Sequence, residues 1–344
     1  MRQLSYALVI AAASSAVACT ESEVPTQTSG TRPPVELVKK SSRIVIDGTM
    51  GKGEWGGASM LPFVTSAPEG LVPATLFVSI DATNLYLAVR IQRPVGTDAV
   101  FVAFQFDTDN DGVPFETGDD AIWIDGTSGG TGFVDNFRLG TNFSTDVLGG
   151  GTSDGAAAIG GDLSTTVVEI RHPLNSGDSG HDIALTAATS EVGINFDIQI
   201  GFPGLTTALT FGEHTTTTVP SPGFFCKLNI GPPLSIGSCP TGRVASVRIT
   251  PSVGDVAITP LSVGVGLTHQ LGWSTYDYLG TDVTAVTACG WASNDLAIAT
   301  VSQAAVVTGV AIGNTVIFNA CATSTPVSDF GTEGQLRVNV IPVN

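Results

Sequence analysis

Apolar and polar residues alternate with a period of two over much of the chain, the pattern of strands that bury one face. In LFVSIDATNLYLAVRI (Leu76–Ile91) two such runs flank a polar turn. Leu85, Leu87, Val89 and Ile91 share one face, and Tyr86, Ala88, Arg90 and Gln92 the other. AVFVAFQF (Ala99–Phe106) places Val100, Val102, Phe104 and Phe106 together with Phe101 opposite. Being apolar on both sides, it predicts a central strand. VVEIRHPL (Val167–Leu174) and FDIQIGF (Phe196–Phe202) repeat the alternation, the second with Phe196, Ile198, Ile200 and Phe202 inward and Asp197 and Gln199 outward. IVIDG, just after Arg43, predicts a short strand entering a turn. Residues 126–164, rich in Gly, Thr, Ser and Asp, predict loop with one strand around Phe133–Leu139, and residues 203–242 predict irregular chain. After Gly242 short strands of Val, Thr and Gly predict a second all-β unit.

Composition agrees with this picture. Val, Ile, Thr and Phe dominate the apolar runs, which favours strands over helices. At 344 residues there is room for two cores. The formal net charge of −17 would repel a phosphate backbone, which argues against nucleic-acid binding. The N-terminus predicts an export signal over residues 1–18, with Arg2 ahead of the apolar run Ala7–Ala18. Ala16-Val17-Ala18 then stands directly before Cys19 and resembles the lipobox of bacterial lipoproteins, although Ala16 occupies the position where leucine is usual. That arrangement implies lipidation of Cys19 and a membrane anchor; cleavage after Ala-x-Ala with plain secretion is the alternative. Residues 19–41 contain Pro25, Pro33 and Pro34 and predict a tether with a reach of about 25 Å.

Five cysteines is an odd number for an exported chain. With Cys19 set aside, the others form two local pairs, Cys226–Cys239 and Cys289–Cys321, each expected to contribute about 3–4 kcal/mol. A swapped pairing would instead tie the two units together.

Candidate chemistry gathers at one strand end. Asp107, Asp109 and Asp111 form a D-x-D-x-D-G turn, and Asp119 and Asp120 follow as the chain returns. Hard oxygens at this spacing predict a calcium site, against the simpler reading of a polar turn. The position that completes an EF-hand is Gly118, so this is not one. Trp123 lies opposite Ile122 and Ile124, and the preferred expectation places it in the core of an inner strand. Its alternative role is a stacking platform for sugar, helped by Tyr86. Two G-x-S-x-G matches, Gly126–Gly130 and Gly151–Gly155, sit in glycine-rich chain with no helical pattern after them, so no nucleophile elbow is expected. His172, His181, His214 and His269 lack metal-ligand spacing. His172 is expected at a strand end, and its pairing with Met50 or Met60 as a haem ligand is the most remote alternative.

Several segments in order resemble the carbohydrate-binding module family 9 type of sandwich, within the broader DOMON-like group. They are IDGTMGKGEWGGA (Ile46–Ala58), Leu76–Ile91, FDTDNDG followed by GDD, and VVEIRHPLNSGDSGHDIAL (Val167–Leu185). The resemblance implies an antiparallel two-sheet sandwich of jelly-roll type over residues 42–238, often holding calcium and sometimes a sugar between aromatic rings. Residues 243–344 resemble a bacterial immunoglobulin-like domain of group 2. VASVRITPS is similar to its first strand, and Trp291, Ser293, Ala299 and Val301 match its Trp-x-Ser core, with Trp291 expected inside. Such domains serve as stalks or adhesion spacers.

Together these features predict an all-β, non-enzymatic lipoprotein of the outer membrane or cell surface, facing periplasm or exterior, with a carbohydrate-binding sandwich beside an immunoglobulin-like spacer. The rival expectation is a structural or adhesive surface protein without a small-molecule ligand, and a haem-binding electron-transfer module comes a distant third.

Overall fold

The computed structural model describes residues 44–67, 70–93, 99–113, 116–126, 132–139, 142–201, 226–231, 233–237, 239, 241–252, 260–322 and 332–343. The predicted export signal, Cys19, the tether and His214 lie outside them.

The alternating runs become strands with their apolar faces turned inward. In chain order these are β1 (Ser59–Ala67), β2 (Gly70–Ile80), β3 (Asn84–Ile91), β4 (Ala99–Asp107), β5 (Asp120–Asp125), β6 (Gly132–Leu139) and β7 (Asn142–Thr145). A one-turn helix α1 (Asp146–Gly149) follows, then β8 (Ala156–Gly161), β9 (Thr166–Pro173), β10 (Glu191–Gly201), β11 (Cys226–Asn229) and β12 (Ser235–Ile236). Five strands pair in the order β1-β2-β3-β9-β8, and seven in the order β12-β11-β10-β4-β5-β6-β7. Every pairing in these two sheets is antiparallel. The sheets face each other as a β-sandwich.

Between them Leu76, Val78, Leu85, Leu87, Val89 and Ile170 of one sheet meet Val102, Phe104, Phe106, Ile122, Ile124, Phe196 and Ile198 of the other in one hydrophobic core. The expected face of β3 packs into this core, while Tyr86 and Ala88 on its other face are buried with Trp55 and Phe77, and β4 is a central strand. Cys226–Cys239 is a disulfide whose two half-cystines are part of this core.

Three expectations change. Residues 44–48 form no strand; the backbone of Asp47 and Gly48 is held instead by a side chain. Glu169, fully buried on the outer face of β9, accepts hydrogen bonds from Asp47 N (3.2 Å), Gly48 N (2.9 Å) and Trp55 Nε1 (3.0 Å). Gly48 has φ +80 and lies so close to β8 that a Cβ would stand 2.7 Å from Gly160 N, so the position needs glycine on both counts. Residues 126–164 hold more than one strand: β7 and β8 also form there, as does α1, capped by Thr145 Oγ1 accepting from Leu148 N. Residues 203–242 contain β11 and the edge strand β12. These are short or built of small residues (AAAIGG in β8), so partner strands rather than local pattern fix them.

The C-terminal strands are β13 (Ser246–Thr250), β14 (Leu261–Gly264), β15 (Thr268–Gln270), β16 (Gly272–Tyr276), β17 (Ala288–Ser293), β18 (Ala299–Val301), β19 (Val306–Gly309), β20 (Gly313–Ala322) and β21 (Thr332–Ile341). They pair as β13-β16, β14-β21-β20-β17 and β15-β19-β18, with β14 parallel to β21. A second core forms around Trp291, Ala299, Val307, Ile317, Leu336, Val338 and Val340. Cys289 and Cys321 stand opposite each other on β17 and β20 and are disulfide-bonded. Val64 N donates to Tyr278 O (2.9 Å), and Ala245 joins the first core, so these strands abut β1. Among the described residues no helix is long and apolar enough to cross a membrane.

Candidate functional site

Strand β5 divides the chemistry of the first sandwich, because successive side chains point to opposite faces. Asp120, Ile122 and Ile124 point inward, whereas Ala121 and Trp123 lie on the outer face of the seven-stranded sheet.

On that outer face Trp123 is not core: it is partly exposed. It pairs across strands with Ala103 of β4 and Val134 of β6. Its ring is tilted against Phe101 (6.0 Å between centroids) and edge-on to Phe143 of β7 (5.7 Å). The Arg138 guanidinium lies 4.8 Å from the centre of the Phe143 ring. The neighbouring cross-strand row is polar, running Asn195, Gln105, Ala121, Asn136 and Thr145 across five strands. Asn136 and Asn195 are both buried, and their Nδ2 donors have no hydrogen-bond partner among the described residues. An aromatic strip beside a row of amides suits flat ligands that are apolar on one face and rimmed by hydroxyls.

Tyr86 does not join this strip. It lies on the other sheet, buried against Trp55 and Phe77, with its hydroxyl donating to Asp81 Oδ2 (2.8 Å). Burial, followed by that hydrogen bond, pushes its pKa up to about 12.

The five aspartates of the predicted calcium site separate. Asp107, Asp109 and Asp111 have carboxylate oxygens within 4.8 Å of one another at the end of β4. Asp107 accepts from Asp111 N (3.1 Å) and Gly112 N (2.9 Å), and Asp111 accepts from Val113 N (2.7 Å). Asp119, paired with Arg138 across the sheet edge, accepts from Thr108 N and Glu116 N at 3.2 Å each. Burial raises its pKa to about 7 despite those two donors. Asp120 belongs elsewhere, because the step from Asp119 to Asp120 turns its side chain into the sandwich.

There Asp120 meets a cluster that spacing along the chain does not reveal. His172, one residue before the end of β9, points inward after Val168 and Ile170 and is 1% exposed. Its Nε2 is 3.7 Å from Asp182 Oδ2 and 3.9 Å from Asp135 Oδ1, beyond hydrogen-bond reach. Neither ring nitrogen has a hydrogen-bond partner among the described residues. Asp135 comes from β6 and Asp146 from the start of α1; Asp182 comes from the loop after β9, and all three are buried.

Two of the carboxylates are held by one oxygen only. Asp120 Oδ2 accepts from Ile183 N (2.9 Å) and Asp135 Oδ2 from Asp154 N (2.7 Å), while Oδ1 of each has no such bond among the described residues. Neither oxygen of Asp146 or Asp182 has a hydrogen-bond partner there either. Burial pushes the pKa of Asp120 up to about 7, of Asp135 to about 6 and of Asp146 to about 9. Burial alone would lower that of His172, but Asp182, Asp120 and Asp135 outweigh it and raise it to about 9.

The loop that brings Asp182 is clasped by its own side chains. Asp178 accepts from Thr152 N (2.7 Å) through Oδ2 and meets His181 Nδ1 (2.7 Å) through Oδ1. Ile183 and Leu185 then plug into the core. The imagined haem pairings are not brought together, since Met50 and Met60 lie with Trp55 and Phe77 on the far side of the five-stranded sheet. Gly151–Gly155 runs into strand β8 rather than a helix, and residues 127–130 of the other G-x-S-x-G match lie outside the described residues.

No protein-family model matches this sequence, nor does any curated protein. Among solved structures the chain is similar to a carbohydrate-binding module of family 9 from Caldicellulosiruptor kristjanssonii in complex with cellotriose, at 13% identity and a TM-score of 0.33, covering 57% of this chain and 90% of that one. It is also similar to a family 9 module from the same organism in complex with glucose, at 14% identity and a TM-score of 0.32, over 57% and 92% of the two chains.

Proposed function

We propose that this chain is a non-catalytic carbohydrate-binding protein of the cell envelope, with its ligand face on the outer surface of the seven-stranded sheet. The observation that carries the reading is Trp123, partly exposed between Phe101 and Phe143 and bordered by the amide row of Gln105, Asn136 and Asn195. A pyranose stacks its C–H face on the indole.

The test is binding of the mature protein to plant, algal and bacterial glycans, repeated with Trp123→Ala. Binding that falls by roughly 30-fold, about 2 kcal/mol, identifies the face. Silence across all glycans, or an unaltered Trp123→Ala, overturns the reading.

In this reading residues 243–344 act as an immunoglobulin-like spacer, and a lipid on Cys19 anchors the protein through residues 19–41. Two disulfides in the described residues suit an oxidising, exported location. The Asp107–Asp109–Asp111 turn, with Asp119 beside it, serves as a calcium site that steadies the edge of the ligand face. Calcium then raises the melting temperature, and Asp109→Ala with Asp111→Ala abolishes the rise; a double variant that still responds excludes this turn.

A further inference from the structure

The interior cluster around His172 lies on the opposite side of β5 from the aromatic strip, so it has no part in sugar stacking. We infer that it binds one divalent transition-metal ion, with His172 as nitrogen donor and Asp120, Asp182 and Asp135 as oxygen donors.

The arrangement carries four marks of a metal centre. Asp120, His172 and Asp182 each offer a donor atom within 4.8 Å of the others, and Asp135, Asp146 and Asp182 form an adjoining set of the same size. Donors around an ion bonded at about 2.1 Å stand about 3–4 Å apart, close to the 3.7 and 3.9 Å seen from His172 Nε2. That separation is too long for direct hydrogen bonds.

The second mark is His172 itself, 1% exposed and without a hydrogen-bond partner at either ring nitrogen among the described residues. A buried imidazole ordinarily spends both nitrogens. The third is the way Asp120 and Asp135 are fastened: a backbone N–H takes one oxygen of each and the other stays unspent. Outer hydrogen bonds of this kind orient metal-ligating carboxylates.

Charge supplies the fourth mark. Asp120, Asp135 and Asp182 face a single imidazole in the interior of a sandwich, and Asp146 adjoins Asp135 and Asp182. Even a protonated His172 leaves several carboxylates facing one another out of water, and a dication answers that deficit directly. An imidazole ligand favours zinc, manganese or iron over calcium, which takes oxygen ligands alone.

The experiment uses the full exported chain, purified without chelator. Elemental analysis is expected to find about one equivalent of a transition metal per chain. Chelator-treated protein should take up cobalt(II) with visible absorption and regain the melting temperature lost on stripping. His172→Gln and Asp182→Asn should each weaken cobalt binding by more than about 100-fold, since loss of an outer partner alone costs 10–100-fold. Asp109→Ala with Asp111→Ala should leave it unchanged. Protein that holds no transition metal, and after chelation takes up neither cobalt, zinc nor manganese, overturns the assignment. So does cobalt binding that His172→Gln leaves intact. Should a variant fail to fold, the wild-type metal content decides. Trp123→Ala should load metal normally, so failure here and failure of the sugar reading are separate results.

Discussion

At the scale of single residues, parity along a strand decides more than residue type. Trp123 and Asp120 are three positions apart on β5 and so face opposite ways, one toward solvent and one toward the core. The expectation that Trp123 is core rested on an inner strand having both faces covered; here the outer face of the seven-stranded sheet leaves it partly exposed. Asp119, just before β5, and Asp120, its first residue, turn their side chains to different sides and so do not share one ion site. His172, between Ile170 and Leu174, and Asp135, between Phe133 and Phe137, occupy positions of apolar parity, so the anomaly was legible there in the sequence, whereas Asp120 read as part of the acidic turn. That the three meet was not legible, because facing across two sheets is a non-local property.

Residue-scale predictions follow the same geometry. Tyr86→Phe should leave glycan binding unaltered and cost about 1 kcal/mol through loss of the Asp81 hydrogen bond. Because the folded pKa of Tyr86, about 12, exceeds its ordinary value of 10.0, the protonated phenol favours the folded state. This contribution is complete below pH 10 and is lost as pH rises toward 12. Ultraviolet titration of wild type against Tyr86→Phe measures it, and a phenol titrating at pH 10 would contradict it. At Gly151, a Cβ would stand 2.0 Å from Asp178 Oδ2 and 2.8 Å from His181 Nδ1. Gly151→Ala should therefore open the Asp178 clasp at a cost of about 1–3 kcal/mol, read by denaturant unfolding.

At the scale of elements, long alternating runs were legible and short strands were not. The core face of β3 and the central place of β4 follow from their own residues. β8 has no alternation to read, and β12 is two residues long; both exist because a neighbouring strand offers its ladder. The opening IDG segment has a β-like pattern, yet Glu169 draws its amide groups out of any ladder. Phe104, fully buried at the sandwich centre, should cost about 3–5 kcal/mol when changed to alanine. The bond between Cys289 and Cys321 ties neighbouring strands across a separation of 32 residues. Cys289→Ala with Cys321→Ala should lower stability by about 3–4 kcal/mol, and calorimetry that finds no change would contradict this.

At the scale of the whole molecule, the sandwich was legible because its strand pattern repeats, whereas its two chemical centres needed the fold to assemble them. The interior cluster draws on β5, β6, β9, α1 and a loop; the outer strip draws on β4, β5 and β7. No single segment contains either one. The net charge of −17 repels polyanions and attracts cations. Calorimetric titration of glycans that the wild-type protein retains, compared with folded, metal-loaded Trp123→Ala, tests the account most directly. The account predicts saturable binding by the wild type and a loss of roughly 30-fold in the variant. Equal affinity in the two proteins, or no glycan bound by either, would contradict it.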